Sequence, residues 1–510
     1  MHNEKKMEYI HSVIGDQKQS LRSGRKGIER EALRVDSDFR ISKKGHEYYF
    51  GSALCNSYLT TDFSESLLEI VTPAYHELGS LINFLEDSHH YVSKTLKEER
   101  LWPTSMPPHF DDEDEISIAR YGKSNLAKFK TTYRQGLSQR YGRSMQAIAG
   151  LHFNYSLSDE IWNFIDLSDS MYSKRDLKDE LYFGALRNIQ RMNWIILYLF
   201  GASPIMSRNF IRNNLNEFKM HLDALYLPYA TSLRMSNFGY QNTSQSNIHV
   251  SLNNIHEYVN DLLELTRTKR IPTREKQKIE EQLNNNILQI EDEYYATSRP
   301  KSESISDIRP LSKLKKFGVD YIELRSLDID PWASSGIENN TMKFLEAFIL
   351  SAILSPSPKL SKYDYQEIKN NDLLVATKGR KKGLNLKKSK KIIDLESWGI
   401  EILESMDPYF EIMNVSQNER EVYYNQMRDP SLTKSGLFLS TILDQGIELR
   451  EFSAELSEDH HRKYLNILKD RNSSWTELEN EKNISIDLQS KLERSSNESF
   501  QKYLKKYYMS

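Results

Sequence analysis

Segments with the alternating pattern of β-strands occur at irregular intervals along this chain, between helical segments of very different length. The clearest is Leu151 to Leu157, where apolar and polar side chains alternate strictly. Further strands are expected at 27–35, 67–71, 231–235, 247–252, 319–324 and 373–376. A regular βαβ repeat would need helical connections of similar length. The spacing therefore predicts an α+β fold with a sheet near the front of the chain and helices behind it.

Helical periodicity surrounds these strands and dominates the second part of the chain. It is expected at 5–22, 78–97, 177–200 and 257–270, from about 340 onward, and in the charged stretch after about 460. We therefore divide the chain into an α+β body, residues 1–355, which is expected to carry the functional site, and a mainly helical region, residues 356–510, packed on that body.

Charge and cysteine content exclude several classes of protein. The 510 residues carry a net charge of −3, which argues against a dedicated nucleic-acid binder. The longest apolar runs, 194–204 and 344–354, are shorter than the roughly 20 residues that cross a bilayer. The lone Cys55 forms no internal disulfide, and the polar N-terminus lacks the apolar core of a signal peptide. We expect a cytoplasmic protein without nucleic-acid or membrane partners.

Acidic side chains occupy strands that are otherwise apolar. Glu29 and Glu31 lie two residues apart and share a face, Glu69 follows two leucines, and Glu323 follows Tyr-Ile. His152 lies on the polar face of its own strand. Taken singly, salt bridges on a sheet surface explain such acids better, at about two to one, and a core histidine explains His152. Taken together they indicate a cation site, because clustered carboxylates repel one another unless a cation lies between them.

Magnesium is the cation that best suits such a group, because it takes oxygen ligands and bridges carboxylates to nucleotide phosphates. Zinc is disfavoured because the sequence has no HExxH and no CxxC. Asp62 is either a further acid of this group or a helix N-cap, at about even odds. The chain has neither a Walker A loop nor Gly-x-Gly-x-x-Gly. We therefore expect ATP phosphates to be held by metal ions and arginines.

Several longer motifs occur in order over about residues 24–335. They are GIERE (27–31), TTDFSESLLE (60–69), LWPTSMP (101–107), YGKSN (121–125), YRQGL (133–137), GLHFN (150–154), YLFGASP (198–204), YATSLRMS (229–236), QIEDEYY (289–295) and YIELRSLD (321–328). In this order they resemble the bacterial monofunctional glutamate–cysteine ligases. GRKKGL (379–384) is a weaker match, and the remaining tail matches poorly.

The resemblance implies both a fold and a site. The family belongs with carboxylate–amine ligases of the glutamine-synthetase-like type, built on a curved antiparallel β-sheet that forms a funnel surrounded by helices. It implies that Glu29, Glu31, Asp62, Glu69, His152 and Glu323 are magnesium ligands and that Arg325 lies near the transferred phosphoryl group. It also implies a cysteine pocket formed by Tyr133, Gln146, Arg234, Tyr240 and Tyr295, although ordinary packing also accounts for single tyrosines in a chain that has 29.

The implied reaction is the ATP-dependent ligation of glutamate, through its γ-carboxyl group, to cysteine by way of a γ-glutamyl phosphate, the first step of glutathione biosynthesis. Its partners are the small molecules glutamate, cysteine and ATP, its cofactor is Mg²⁺ with Mn²⁺ as a substitute, and a monomer is expected. A related ligase with another amine acceptor is the alternative. A regulator that binds glutamate or nucleotide without catalysis, and a metal-dependent hydrolase, are the rivals from other classes.

Overall fold

The computed structural model of the protein describes residues 2–165, 173–211, 215–240, 245, 248–270, 281–303, 309–467 and 473–509. Strands of three sheets lie within these residues. They are β1 (Arg25–Val35), β2 (Leu59–Thr61), β3 (Leu67–Val71), β4 (Arg100–Leu101), β5 (Leu151–Ser156), β6 (Ile205–Ser207), β7 (Lys219–His221), β8 (Ala224–Tyr226), β9 (Ser298–Lys301), β10 (Tyr321–Leu327), β11 (Asn385–Lys388) and β12 (Lys391–Asp394).

The central sheet has seven strands in the order β2-β3-β1-β5-β10-β9, with β4 paired to one end of β1. Every neighbouring pair is antiparallel. The sheet stays open, because β2 and β9 form its two edges. The strands β6 to β8 form a small separate sheet, and β11 and β12 form a hairpin. An α+β fold built on an antiparallel sheet is thereby confirmed.

Helices surround this sheet and make up most of the chain after residue 339. They are α1 (His2–Gly15), α2 (Lys18–Arg22), α3 (Glu47–Phe50), α4 (Leu78–Leu96), α5 (Asn125–Tyr141), α6 (Arg143–Gln146), α7 (Lys174–Phe200), α8 (Ile255–Leu265), α9 (Pro310–Phe317), α10 (Asn339–Leu354), α11 (Lys362–Lys378), α12 (Leu395–Ile412), α13 (Gln417–Arg428), α14 (Lys434–Gln445), α15 (Leu449–Leu465), α16 (Ser473–Ser495) and α17 (Phe500–Met509). Within the described ranges, no helix is both long and apolar enough to cross a membrane.

One face of the central sheet is apolar and covered by helices. Phe153 of β5 lies opposite Ile28 of β1 and Leu324 of β10, and all three side chains are fully buried. The helices α7 and α10 pack against this side of the sheet. Because successive side chains of a strand point to opposite faces, the polar residues between these positions are directed to the other face. The alternation in the sequence therefore decides which face carries the site.

The strands expected at 27–35, 67–71, 151–157 and 319–324 are confirmed, whereas two others are wrong. The residues expected as a strand at 373–376 end helix α11, whose start is fixed by a capping box between Ser361 and Asp364. Residues 231–235 form no strand. Ser232 makes one isolated bridge with Ser203, and the N–H groups of Thr231 and Ser232 donate to the carbonyl of Ala376. In the segment expected at 247–252, residue 247 lies outside the described residues and 248–252 form no strand.

The helices agree more closely with their expected positions. The helices α4 and α7 cover the predicted segments 78–97 and 177–200 almost completely. The single helix expected over 5–22 is divided at Asp16 and Gln17, and α8 ends five residues before the predicted end at 270. The C-terminal part of the chain is mainly helical, as expected.

Candidate active site

Acidic side chains from β3, β1 and β10 and a histidine from β5 meet on the open face of the sheet. The register places Glu31 of β1 opposite Glu69 of β3, and Glu29 of β1 opposite His152 of β5. Glu323 enters from β10, the next strand along. Directly opposite residues of antiparallel strands share a face, and so do residues two apart in one strand. The spacing in the sequence therefore brings these five side chains together.

The imidazole of His152 lies between the two glutamates of β1. Its Nδ1 is 3.0 Å from Glu29 Oε2, and its Nε2 is 3.8 Å from Glu31 Oε1. Asn154 Nδ2 donates to Glu29 Oε1 at 2.9 Å, and the N–H of Gly150 donates to Glu31 Oε2 at 2.6 Å. These contacts fix the orientation of both carboxyl groups.

Two groups of side chains have the composition of a metal site. The potential ligand atoms of Glu29, His152 and Glu323 lie within 4.8 Å of one another, and so do those of Glu31, Glu69 and His152. Asp62 lies in the turn after β2 and lines the same cavity, so the helix N-cap considered for it is wrong. Carboxylate oxygens with a single imidazole are donors that suit Mg²⁺ or Mn²⁺.

The protonation of the acids supports the same interpretation. Burial, together with the charge of Asp62, raises the pKa of Glu31 to about 8. Burial and the neighbouring charge of Glu29 hold the pKa of Glu69 well above its usual range. Carboxyl groups that are buried against one another resist ionisation unless a cation compensates them. The residues of this face therefore fit a bound metal ion better than they fit a bare sheet surface.

Cations lie at the β9 end of the acidic face. Lys301 Nζ is 3.2 Å from Glu323 Oε1, and Arg325 Nη1 is 3.1 Å from Glu323 Oε2. Burial alone would raise the pKa of Glu323, but Lys301 and Arg325 hold that pKa well below its usual range. Arg299 lies opposite Glu323 on β9 and donates to the carbonyls of Asp292 and Tyr294. This end of the cavity therefore suits an anionic group such as a phosphate.

Aromatic side chains form the opposite wall. The rings of Tyr240 and Tyr295 stack with their centroids 5.4 Å apart, and Gln146 Nε2 donates to the hydroxyl of Tyr295 at 2.6 Å. The guanidinium of Arg234 lies 5.0 Å from the centroid of Tyr240. Tyr133 of α5 lines the same cavity. The five residues expected to bind cysteine are therefore brought together.

Arg234 is almost fully buried, and its surroundings leave part of its guanidinium unpaired. Its Nη2 donates to the carbonyl of Arg325 at 2.8 Å, and its Nη1 is 3.6 Å from Asp328 Oδ1, whereas its Nε has no partner. A Cβ atom at Gly150 would lie 2.2 Å from Arg234 Nη2. Only glycine at position 150 lets this guanidinium occupy its place in the pocket wall.

All twelve side chains proposed from the sequence line a single cavity of about 720 Å³. The sequence reasoning missed Lys130, Arg299, Lys301 and Tyr507, which line it as well. Arg299 and Lys301 flank a proline in β9, and proline argues against a strand unless the strand is at an edge. Tyr507 belongs to α17, in the tail where no motif was found. Lys130 had a usable signal, because it precedes the YRQGL motif by one helical turn.

Comparisons with known proteins agree with this site. Residues 11–375 match the family model described as glutamate-cysteine ligase. The glutamate–cysteine ligase of Shewanella oneidensis is 38% identical over 455 residues, covering 86% of each chain. That of Shewanella halifaxensis is 36% identical over 508 residues, covering 96% of this chain and 97% of the relative. The crystal structure of the Francisella tularensis enzyme in complex with AMP superposes with a TM-score of 0.87 at 29% identity, covering 96% of this chain and 98% of that one.

The open antiparallel sheet presents clustered carboxylates, with cations at one end and an aromatic pocket at the other. Together with the matches to known proteins, this site is that of an enzyme of the ATP-dependent ligase class. The sequence matches, which cover most of the chain, identify one family within this class. The chain belongs to the glutamate–cysteine ligase family.

Proposed function

We propose that this protein joins the γ-carboxyl group of glutamate to the amine of cysteine, with ATP as co-substrate, and releases γ-glutamylcysteine, ADP and phosphate. This is the first step of glutathione biosynthesis. The observation that carries the proposal is the single cavity lined by all twelve side chains that the family resemblance singles out. The cavity offers an anionic face for metal, a cationic end for phosphate and an aromatic pocket for the acceptor.

The two acidic groups are the proposed metal sites. Glu29 and Glu323 would hold one ion, Glu31 and Glu69 would hold another, and His152 lies within reach of both. Asp62 lines the cavity beside the second group. Bound Mg²⁺, or Mn²⁺ in its place, neutralises the terminal oxygens of ATP and so favours in-line phosphoryl transfer.

In the first step a γ-carboxylate oxygen of glutamate bonds to the terminal phosphorus of ATP, and ADP leaves with the electrons of the broken P–O bond. Arg325, held by Glu323, would contact the oxygens of the transferring phosphoryl group. Lys301 would add a second positive charge at the same end of the cavity. Charges that are fixed before the reaction stabilise the transition state without reorganisation.

In the second step the amine of cysteine attacks the acyl carbon, and phosphate leaves from the tetrahedral intermediate. Arg234 would bind the carboxylate of cysteine, because its buried guanidinium keeps an unpartnered Nε at the aromatic wall. The rings of Tyr240 and Tyr295 would line the space that the thiol of cysteine occupies. A pocket of this kind distinguishes substrates that differ by one methylene by only about 1–3 kcal/mol.

We further propose that the enzyme acts as a monomer in the cytoplasm. One chain supplies every proposed site residue, so the cavity needs no side chain from a second copy. The single Cys55 leaves the fold independent of an oxidising compartment. Sedimentation of the purified protein with and without ATP and magnesium tests the oligomeric state.

The function is tested by measuring phosphate release while glutamate, cysteine and magnesium are omitted in turn, with the product identified by mass. We expect release only when all three are present, together with γ-glutamylcysteine. Release that needs glutamate but not cysteine would point to another acceptor amine. Release without glutamate would indicate a hydrolase, and the absence of any release would favour a regulator that binds these molecules without turnover.

A further inference from the structure

Lys130 is a cavity residue that the steps above leave without a role. It lies on α5, one helical turn before Tyr133 and Arg134, and it is half-buried in the cavity wall. Its ammonium group is 5.3 Å from the centroid of the Tyr121 ring. The guanidinium of Arg134 lies 4.7 Å from the same centroid. Two cationic side chains therefore share one aromatic ring, and the described residues give the ammonium group of Lys130 no hydrogen bond and no ion pair.

The surroundings of Lys130 favour its neutral form. Burial and then the charge of Arg134 lower the pKa of Lys130 to about 8, compared with about 10.4 for an exposed lysine. The other titratable groups that face it are Glu69 of β3, Cys55, and Asp292 in the loop before β9. None of these carboxylates lies within ion-pair distance of it among the described residues. With this pKa, about a tenth of Lys130 is an unprotonated amine at pH 7 and about half of it at pH 8.

The second chemical step needs a group of this kind. The acceptor amine is mostly protonated in water and must lose a proton before its nitrogen lone pair can attack. Five of the cavity acids and His152 are already engaged as proposed metal ligands. Of the other two acids that line the cavity, Asp372 accepts a hydrogen bond from Asn193 of α7, and Asp292 lies 3.6 Å from Arg299. His249 also lines the cavity, but its ring packs against Tyr365 of α11, at 4.2 Å between centroids, on another wall. Lys130 shares its helix with Tyr133 of the proposed acceptor pocket.

We propose that Lys130 is the general base that removes a proton from the acceptor amine as this amine attacks the acyl phosphate. The proposal rests on the proposed function. In this step a bond forms between the amine nitrogen and the acyl carbon, and the bond from that carbon to the phosphate oxygen breaks. The phosphate leaves with the electron pair. The protonated form of the acceptor amine gives one proton to Nζ of Lys130, and the second proton that the nitrogen loses on becoming an amide is taken up by the leaving phosphate. The protonated lysine then returns its proton to solvent, so the step is balanced without another reactant.

The test compares two acceptors, cysteine and hydroxylamine, in the full-length protein. Hydroxylamine is largely unprotonated at neutral pH, so its attack on the same acyl phosphate needs no base. We expect K130M and K130R each to lower kcat with cysteine by about 100-fold, the lower end of the usual contribution of a general base. We expect both variants to form γ-glutamyl hydroxamate within about 3-fold of the unsubstituted rate, because activation of glutamate is unaffected.

A pH profile gives a second measurement. For the unsubstituted protein, kcat/KM for cysteine is expected to rise with pH and to level above the pKa of about 8 that Lys130 has in the free protein. This limb should be absent in K130M. The matched control is K128M, which removes an exposed lysine of the same helix and should leave both acceptor reactions unchanged. Thermal unfolding of each variant reports whether the fold is retained.

Each other outcome overturns the assignment in a distinct way. Full activity of K130R with cysteine would mean that position 130 supplies only positive charge, for example to a carboxylate. Equal losses with both acceptors would mean that Lys130 supports the cavity without acting on the amine. If the unsubstituted protein formed neither product from ATP and glutamate, the proposed function itself would be refuted.

Discussion

At the scale of single residues, Glu69 lies among carboxylates that oppose its ionisation. The charges of Glu29, Asp62 and Glu31, added to burial, hold its pKa well above its usual range. In the folded protein it therefore binds a proton that the unfolded chain releases above about pH 4.3. Stability consequently falls as pH rises from that value toward the folded pKa. Without metal, Glu69 reduces the stability of the folded protein at neutral pH. We therefore infer that the role of Glu69 is to bind the metal ion.

The change E69Q should separate these two effects. At pH 7.5 without metal, we expect the free energy of unfolding of the variant to exceed that of the unsubstituted protein by about 1–2 kcal/mol, because the amide cannot ionise. The variant should therefore unfold at a higher temperature. We expect its magnesium-dependent activity to fall by at least about 100-fold, because a proposed ligand is lost. Calorimetry in chelator and product formation in magnesium measure the two quantities. The control is E401Q. Glu401 is an exposed residue of α12 that pairs with Lys388, and its substitution should change neither the stability nor the activity. Lower stability together with normal activity would contradict the metal assignment.

The site could be predicted from the sequence wherever strands carry it, and less well elsewhere. Alternation alone places Glu29, Glu31 and His152 on one face, because the side-chain period of a strand is two. The contribution of Lys301 depends on pairing between β9 and β10, and the proline before it hid that strand. The wall formed by Tyr507 depends on a contact between α17 and α5, which are more than 350 residues apart in sequence. Long-range packing of this kind leaves no local pattern.

At the scale of elements, α11 explains why one strand prediction is wrong and also provides a test. A short apolar run does not distinguish a buried helix from a buried strand. In α11 the buried side chains face α7, where Asn193 Nδ2 donates to Asp372 Oδ2 at 2.8 Å. Burial raises the pKa of Asp372 to about 8. The helix is therefore fixed against α7 by a carboxyl group that is neutral below that pH.

The protonation of Asp372 gives the contact between α7 and α11 a predictable pH dependence. The folded protein keeps the Asp372 proton up to about pH 8, whereas the unfolded chain loses it near pH 4. Stability therefore falls with rising pH across this window. At pH 8, we expect the free energy of unfolding of D372N to be at least about 1 kcal/mol higher than that of the unsubstituted protein. At pH 4 the two values should be nearly equal. Urea titrations at several pH values check this, with the exposed D487N as control. A difference independent of pH would contradict the raised pKa.

The C-terminal helix α17 is a second element whose role can be tested. Tyr507 lines the cavity, and its ring lies 4.5 Å from Phe129 of α5, which also carries Tyr133. The hydroxyl of Tyr508 donates to the carbonyl of Gln289 at 2.9 Å. We expect removal of residues 497–510 to raise KM for cysteine by about 10-fold or more. The deletion removes the contact of α17 with the wall of the cysteine pocket, and a 10-fold change corresponds to about 1.4 kcal/mol of binding free energy. KM for ATP should change little.

The control for the deletion is K506A, which removes an exposed lysine of α17 that pairs with Glu498. This variant should keep normal values of KM for both cysteine and ATP. The single change Y507A should reproduce the cysteine effect of the deletion in part. Equal increases of both KM values after the deletion would show that α17 supports the whole fold rather than the acceptor wall.

At the scale of the whole molecule, contacts join the helical C-terminal region to the α+β body at several separate places. Trp398 of α12 packs on Trp194 of α7 with ring centroids 4.9 Å apart. Phe344 of α10 lies 5.7 Å from Phe410 of α12. The hydroxyl of Tyr91 in α4 donates to Glu479 in α16 at 2.9 Å. The family match also extends beyond residue 355, to residue 375 within α11. We therefore propose that residues 1–355 and 356–510 fold as one cooperative unit.

The fragment 1–355 tests this proposal, because it retains the sheet, the acidic face and the aromatic pocket but lacks α11 to α17. The truncation exposes Trp194 and Phe344, and burying an aromatic side chain of this size contributes about 1.5–3 kcal/mol. Since the net stability of a domain is only about 5–15 kcal/mol, losing several such contacts should abolish cooperative unfolding. The cooperativity of unfolding is measured by near-ultraviolet circular dichroism during heating. The full chain, which is expected to unfold in one transition, is the reference. A fragment that unfolds sharply and still binds ATP would show that the body folds alone and that the helical region is an addition to it.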